Sequence, residues 1–456
     1  MNMSMNMRIS SHPRSAVPVG PAQGARFAGP LILLSLFLHT AALAAPDEVE
    51  VAMWDWIDAH SEEAIELLAE TVNIGSGTMN HDGVRAVARV LQPELETLGL
   101  EAEWIELDPA MQRAGHLVAR QAGSRGPRLL LIGHLDTVFE AGDGFARFER
   151  EGNVATGPGV IDMKSGNVVI IQALRALQHA GQLAELPLVV FYSGDEEKPG
   201  RPLAVSRRDL VEAGRWADIA LGFEFAMFHE GRDWATVARR GSSDWRLEVA
   251  GRQAHSSRVF SDEVGAGAIF EAARILNAFY EEVRGEEYVT FNAGAIVGGT
   301  DVRYDDEVSE GFAFGKTNVV PRKVVVHGGI RTLTAEQLER AQAAMRAVVE
   351  RHLPQTNASI AFGEGYPPMA PTEGNLRLRA LLSEINEALG RGPMDALDPG
   401  MRGAADISFV APYADALAGL GPIGEGAHSP EERLELDSLA LAAKRAASLI
   451  YRLSRE

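Results

Sequence analysis

Apolar residues recur every three to four positions over residues 54–71 and 84–98, the period of helices that bury one face. The period then changes. Mainly apolar runs at residues 128–132, 186–192 and 217–221 are strand-like, and a helical stretch at 164–180 separates the first two. Short apolar runs alternating with helices predict a largely parallel sheet in an α/β fold, where ligands gather beyond the carboxyl ends of the strands. From about Gly241 the pattern differs again: alternation over 245–250, a helix over 262–283, strand-like stretches at 288–297 and 311–319, a strand over 323–331 and a helix over 334–352. That order predicts a β-α-β-β-α-β unit, an α+β ferredoxin-like domain inserted into the first. Helices over 376–389 and 436–452 return the chain to where it began. The expected organisation is a mixed, mostly parallel α/β domain of residues 46–238 and 366–456, interrupted by an α+β domain at 239–365.

The first 46 residues stand apart, with Arg8, Arg14 and Arg26, no acid, an apolar run at 31–38 and small residues at 41–45. This is the pattern of a cleaved secretory leader over residues 1–45, with cleavage near Ala44 or Ala45. Its apolar core is too short for a permanent membrane helix, so the mature protein is expected to be secreted or periplasmic and free of the membrane. With 456 residues the chain is long enough for two or three domains, and 46% hydrophobic residues with 23% charged is the composition of a folded globular protein. The formal charge of -20 opposes binding to nucleic acid or to an anionic bilayer. With zero cysteines there is no disulfide and no thiolate ligand, so a metal could be held only by histidines and carboxylates.

Five clusters supply such groups in order: Gly-His134-Leu-Asp136-Thr-Val, Gly-Pro-Gly-Val-Ile-Asp162-Met-Lys-Ser-Gly, Ser-Gly-Asp-Glu196-Glu197, Phe-Glu224-Phe and Gly-Ala-His428-Ser. Several sit at the ends of the strand-like runs. Two histidines and three carboxylates suit two divalent cations of zinc-like character, and one further carboxylate is left to act as a base. Each segment alone has a plainer reading. His134 could be a strand-end histidine satisfied by Asp136, Asp162 could cap the helix that begins at Lys164, and the run from Asp195 to Lys198 could be a solvated acidic turn. Glu224, flanked by Phe223 and Phe225, is costly to bury without a cation.

Taken together and in this order, the motifs closely resemble the M20 family of metallopeptidases, which contains glutamate carboxypeptidase, aminoacylases and succinyl-diaminopimelate desuccinylase. The resemblance runs from about Trp54 to the end of the chain. It implies that His134 and Glu224 hold one metal and Glu197 and His428 the other, with Asp162 bridging, Asp136 orienting His134 and Glu196 serving as general base. It implies two divalent ions, zinc first, with cobalt or manganese as alternatives. The inserted domain matches the family's dimerisation or lid domain, implying a homodimer, and Gly251-Arg-Gln-Ala-His255-Ser matches a motif whose histidine stabilises the oxyanion, often in the neighbouring protomer. Asn318 and Arg331 match positions that grip a substrate carboxylate. Two departures bear on substrate: Tyr366 stands where glutamate-releasing members commonly carry arginine, and Ala405 replaces a hydroxyl residue in Arg402-Gly-Ala-Ala-Asp406. Arg402 is the residue that could compensate. The expected activity is an exported carboxypeptidase acting on an amino-acid conjugate or small peptide with a free carboxylate. An aminoacylase or dipeptidase, or a catalytically silent binding protein on the same fold, are the alternatives.

Overall fold

The computed structural model describes residues 45–456 apart from Ala141, Asp143, Phe145, Ala146, Glu307 and Val308. Except for Ala45, the expected leader and its cleavage point lie outside the described residues. The central sheet has six strands in the order Glu101–Ile105, His116–Gln121, Leu188–Ser193, Leu129–His134, Ile219–Gly222 and Asp415–Leu417. The first two ladders are antiparallel and the remaining three parallel. Leu129–His134 and Leu188–Ser193 are buried along their whole length, which is why they read as mainly apolar runs. Alternate residues feed two cores. Leu129, Leu131, Leu188 and Val190 pack with helices Glu48–Ala59, Ser165–His179 and Leu436–Leu453, whereas Leu130, Ile132, Val189 and Phe191 pack with Arg208–Trp216 and Ile407–Val410.

Two antiparallel strands at one side of the sheet, Glu101–Ile105 at the edge and His116–Gln121 next to it, escape the sequence reading, the first because it is short and half exposed. The helix expected over 54–71 is instead two helices, Glu48–Ala59 and Ser61–Val72, broken at His60 with φ -114° and ψ 21°. The buried positions Met53, Ile57, Ala64 and Leu68 keep a helical spacing across that break, so the period alone does not reveal it.

The inserted region forms a four-stranded antiparallel sheet in the order Thr290–Gly299, Lys323–Thr332, Gly241–Gly251, Thr356–Phe362. Helices Ala268–Glu282 and Ala335–Val349 complete the β-α-β-β-α-β order and enclose a separate core around Trp245, Leu247, Ile275, Phe279 and Met345. The stretch expected as a strand over 311–319 does not join this sheet; Glu310–Phe314 pairs with Asp301–Asp305 in an exposed hairpin of its own. The first helix starts at Ala268, later than its period suggested, because Gly267 precedes it at φ 80°. A Cβ there would come within 2.6 Å of Val320, so both conformation and space call for glycine. No helix among the described residues is long and apolar enough to cross a membrane.

Candidate active site

The parallel pairing of the two innermost strands sets His134 opposite Ser193, so the segments that follow them emerge side by side. Asp136 ties these segments together. Its buried carboxylate accepts hydrogen bonds from Thr78 Oγ1 at 2.6 Å, from the Glu196 amide at 3.0 Å and from the Glu197 amide at 3.1 Å. His134 Nδ1 lies 2.9 Å from the Asp136 carbonyl oxygen and 3.5 Å from its carboxylate. Donation to that carbonyl leaves the lone pair on Nε2, the nitrogen that faces Asp162 at 3.3 Å.

Asp162 ends a loop in which Gly159, at φ 74°, makes a turn too close to Thr137 for a side chain. The carboxylate of Glu432, fully buried, accepts the amides of Gly159 at 3.0 Å, Ile161 at 2.8 Å and Asp162 at 2.9 Å. Burial pushes Glu432 up to about 7 against the pull of those amides. Asp162 does not cap the following helix, Ser165–His179, whose N-cap is Lys164 and which has no side-chain capping bond among the described residues. Its second oxygen lies 3.2 Å from His428 Nε2, which is also 3.2 Å from Glu197 Oε2. His134, Asp162 and Glu197 offer ligand atoms that all lie within 4.8 Å of one another.

Glu196 and Glu197 diverge as adjacent residues must. Glu197 Oε1 is buried and meets no hydrogen-bond donor among the described residues. Burial pushes Glu197 up to about 7 despite the His428 hydrogen bond, and raises Glu196 well above the ordinary carboxyl range, the charge of Glu197 adding to the effect. Hydrogen bonds to Asp162 and Glu197 lift His428 to about 11. Carboxylates crowded in this way hold protons unless a cation is set among them.

Glu224 has the cation its burial demands, although that cation is arginine: Arg239 Nη1 is 2.6 Å away and Arg402 Nη2 3.2 Å. It shares a cavity of about 660 Å³ with Asp162, Glu196, Glu197 and His428. Ser242, Asp244 and Arg331 of the inserted region line the same cavity. Arg331 is exposed, and its guanidinium makes no hydrogen bond or ion pair with the described residues. His255 and Asn318 lie elsewhere. Both are exposed, neither lines the cavity, and they neighbour each other through a bridge between His255 and Val319 and a 2.9 Å bond from the Ser256 amide to the Asn318 carbonyl. The structure therefore separates Asn318 from Arg331 within one chain.

The sequence reading misses Arg207 and Glu432 altogether and, in Tyr366, sees only a departure from the family pattern. Arg207, 1% exposed, forms ion pairs with Asp195 at 2.6 Å and Asp406 at 2.8 Å, and donates to the Tyr366 hydroxyl at 2.7 Å. Tyr366 in turn donates to the Glu196 carbonyl at 2.7 Å, so Glu196 is fixed through its amide by Asp136 and through its carbonyl by Tyr366. Glu432 is the third. Arg207 sits in Ser-Arg-Arg-Asp and Glu432 in Pro-Glu-Glu-Arg, and both runs read as solvated surface.

Nitrogen and oxygen donors with an unsatisfied buried carboxylate oxygen among them fit divalent ions of zinc-like character. Fold and site together define a metal-dependent hydrolase. Residues 130–452 match the model of peptidase family M20/M25/M40, and the chain belongs to that family. It is 26% identical over 398 residues to carboxypeptidase G2 of Pseudomonas sp. (strain RS-16), covering 85% of this chain and 88% of the relative. It is 27% identical over 392 residues to the succinyl-diaminopimelate desuccinylase of Cupriavidus necator, covering 82% and 94%. Among solved structures it is similar to a dinuclear metal-binding M20 peptidase of Bacillus subtilis, with a TM-score of 0.59, 15% identity, and coverage of 87% of this chain and 98% of that one.

Proposed function

We propose that this metallopeptidase is an exported, dinuclear amide hydrolase that acts as a carboxypeptidase on an amino-acid conjugate or small peptide with a free carboxylate. The observation that carries the reading is the position of Asp162, 3.3 Å from His134 Nε2 and 3.2 Å from His428 Nε2, with Glu196 lining the same cavity. On this reading two ions would be held with Asp162 shared between them, one by His134 and Glu224 and the other by Glu197 and His428. Zinc, or cobalt or manganese in its place, supplies Lewis acidity at the scissile carbonyl and acidifies the attacking water. Glu196 takes the proton from that water and delivers it to the leaving nitrogen, while Asp136 and Tyr366 hold its backbone in place.

Arg331 anchors the substrate carboxylate, because its guanidinium lines the cavity unpaired. Arg331→Ala should lower kcat/KM for the free acid by one to two decades, the roughly 1.5 to 3 kcal/mol of a charge-assisted pair, while sparing the methyl ester of the same substrate. Lysine should rescue only in part, since a point charge lacks the planar fork. Equal losses on acid and ester would make Arg331 structural, and an N-acyl amino acid and dipeptide library read by product mass tests the substrate class itself.

His255, with Asn318 beside it, acts in the site of a neighbouring protomer. Their exposure on the inserted domain, away from the cavity of their own chain, supports this. Mixing inactive Glu196→Gln and His255→Ala protomers should restore activity in sites that receive both intact groups. Confirmed subunit exchange without returning activity rules the shared site out.

A further inference from the structure

Two stretches of chain connect the inserted region to the first domain, and each touches a group of the active site. On the way out, Arg239 Nη1 reaches Glu224 at 2.6 Å. On the way back, the Tyr366 hydroxyl donates to the Glu196 carbonyl at 2.7 Å. The two stretches are also bonded to each other: the Arg239 and Met369 amides donate to each other's carbonyls, both at 2.9 Å, and the Ser242 amide donates to the Tyr366 carbonyl at 2.9 Å.

The tyrosine side chain lies in a bed built on the segment that carries Glu196. Its ring meets Phe409 edge-on, with centroids 4.8 Å apart, and its hydroxyl accepts from Arg207 Nη2 at 2.7 Å. Arg207 is fixed in turn to Asp195, the residue before Glu196, through the carboxylate at 2.6 Å and the carbonyl at 2.9 Å. Burial, reinforced by the charge of Glu196, raises the Tyr366 phenol well above its ordinary range, so it stays a donor. The backbone of Tyr366 belongs to a different neighbourhood. Ser242, in the strand Gly241–Gly251, bridges to Tyr366 on one side and stands opposite Arg331 of the strand Lys323–Thr332 on the other. Arg331, Ser242 and Tyr366 thus stand side by side across three backbones, whose hydrogen-bonded spacing of about 4.8 Å carries a displacement of one to the next. A single hydroxyl joins that row to Glu196.

On the reading that Arg331 anchors the substrate carboxylate and Glu196 is the general base, we propose that Tyr366 is a positioning residue that couples the two. A carboxylate seated on Arg331 steadies the row, and the tyrosine hydroxyl passes that order to the Glu196 carbonyl. Asp136, which holds the Glu196 amide from within the first domain, supplies the part of the hold that needs no ligand. Binding energy at the non-reacting end of the substrate is in this way used to order the base.

The test is hydrogen exchange read by mass spectrometry on the full-length, zinc-loaded Glu196→Gln protein, in which turnover is suppressed, with and without an excess of N-acetyl-L-alanine. The ligand should slow exchange in peptides covering residues 328–333, around Arg331, and also in those covering 193–198, the latter by about 2- to 10-fold, the range of one net hydrogen bond. Adding Tyr366→Phe, which keeps the ring and removes the hydroxyl, should leave protection of 328–333 in place and abolish that of 193–198. Protection of 193–198 that survives Tyr366→Phe would overturn the proposal, because the tyrosine would then only brace the fold. So would protection of 328–333 alone while Tyr366 is present, a result independent of how the variant folds. Protection of neither segment would overturn the Arg331 anchor and the coupling with it. Turnover is read separately. With Glu196 restored, Tyr366→Phe should lower kcat for a cleaved N-acyl amino acid by a similar factor and leave KM near the parent value, and an unchanged kcat would overturn the proposal. Coupled protection in a protein that cleaves no N-acyl amino acid would sustain the role of Tyr366 and overturn the proposed activity.

Discussion

Glu196→Gln is expected to lower kcat about 100- to 10,000-fold while metal content and melting temperature stay near those of the parent protein. The carboxylate of Glu196 makes no hydrogen bond or ion pair with the described residues; its amide and carbonyl make the contacts that hold it, to Asp136 and Tyr366. Glutamine keeps the shape and those backbone bonds but cannot accept the proton of the attacking water or pass it on. A selective loss of turnover separates a base from a brace. Near-normal turnover in a metal-replete variant would remove Glu196 from the mechanism, whereas the silent-binder alternative predicts a parent protein with no turnover to lose.

Stripping the metal should abolish activity altogether, and zinc, cobalt or manganese should restore it. The cause is visible in the charge arrangement: Asp162 and Glu197 converge on His428, Glu197 Oε1 has no partner among the described residues, and burial drives Glu196 and Glu197 toward their protonated forms. Cations placed among these groups supply the missing positive charge. Metal should therefore also raise the melting temperature, by the equivalent of about 2.7 kcal/mol at one hundred times its dissociation constant. Activity persisting in protein verified as metal-free would exclude the mechanism, whereas an unchanged melting temperature on titration would argue that these residues bind no ion.

Several parts of this site were open to a reader of the chain because their signals are local. The strand runs at Leu129–His134 and Leu188–Ser193 are apolar on both faces, and polar residues appear abruptly where each strand leaves the core. His134, Asp136, Glu196 and Glu197 follow at those points. The helices at Ala335–Val349 and Leu436–Leu453 carry periodic apolar faces, and the first also has a capping box at Thr334 and Gln337. Thr356–Phe362 is different. It alternates exposed and half-buried residues and becomes a strand because Gly241–Gly251 lies beside it. The break at His60 is invisible for the opposite reason, since the apolar spacing runs straight through it.

Periodicity and residue chemistry, both properties of neighbours along the chain, thus specified the parallel part of the α/β framework, the two helices and most of the strands of the insertion, and the donors able to hold metal. They did not specify who faces whom. Glu432 meets the Asp162 amide across 270 residues, Arg402 meets Glu224 across 178, and Tyr366 reaches the Glu196 carbonyl across 170. In each case a polar group that would be ordinary on a surface acquires its role through burial and a distant partner. Burial raises the cost of every unpaired charge and makes each partner decisive, and only the folded chain brings those partners together. For that reason Arg402, one arginine among many in the sequence, becomes in the structure a half-paired guanidinium on the wall of the cavity.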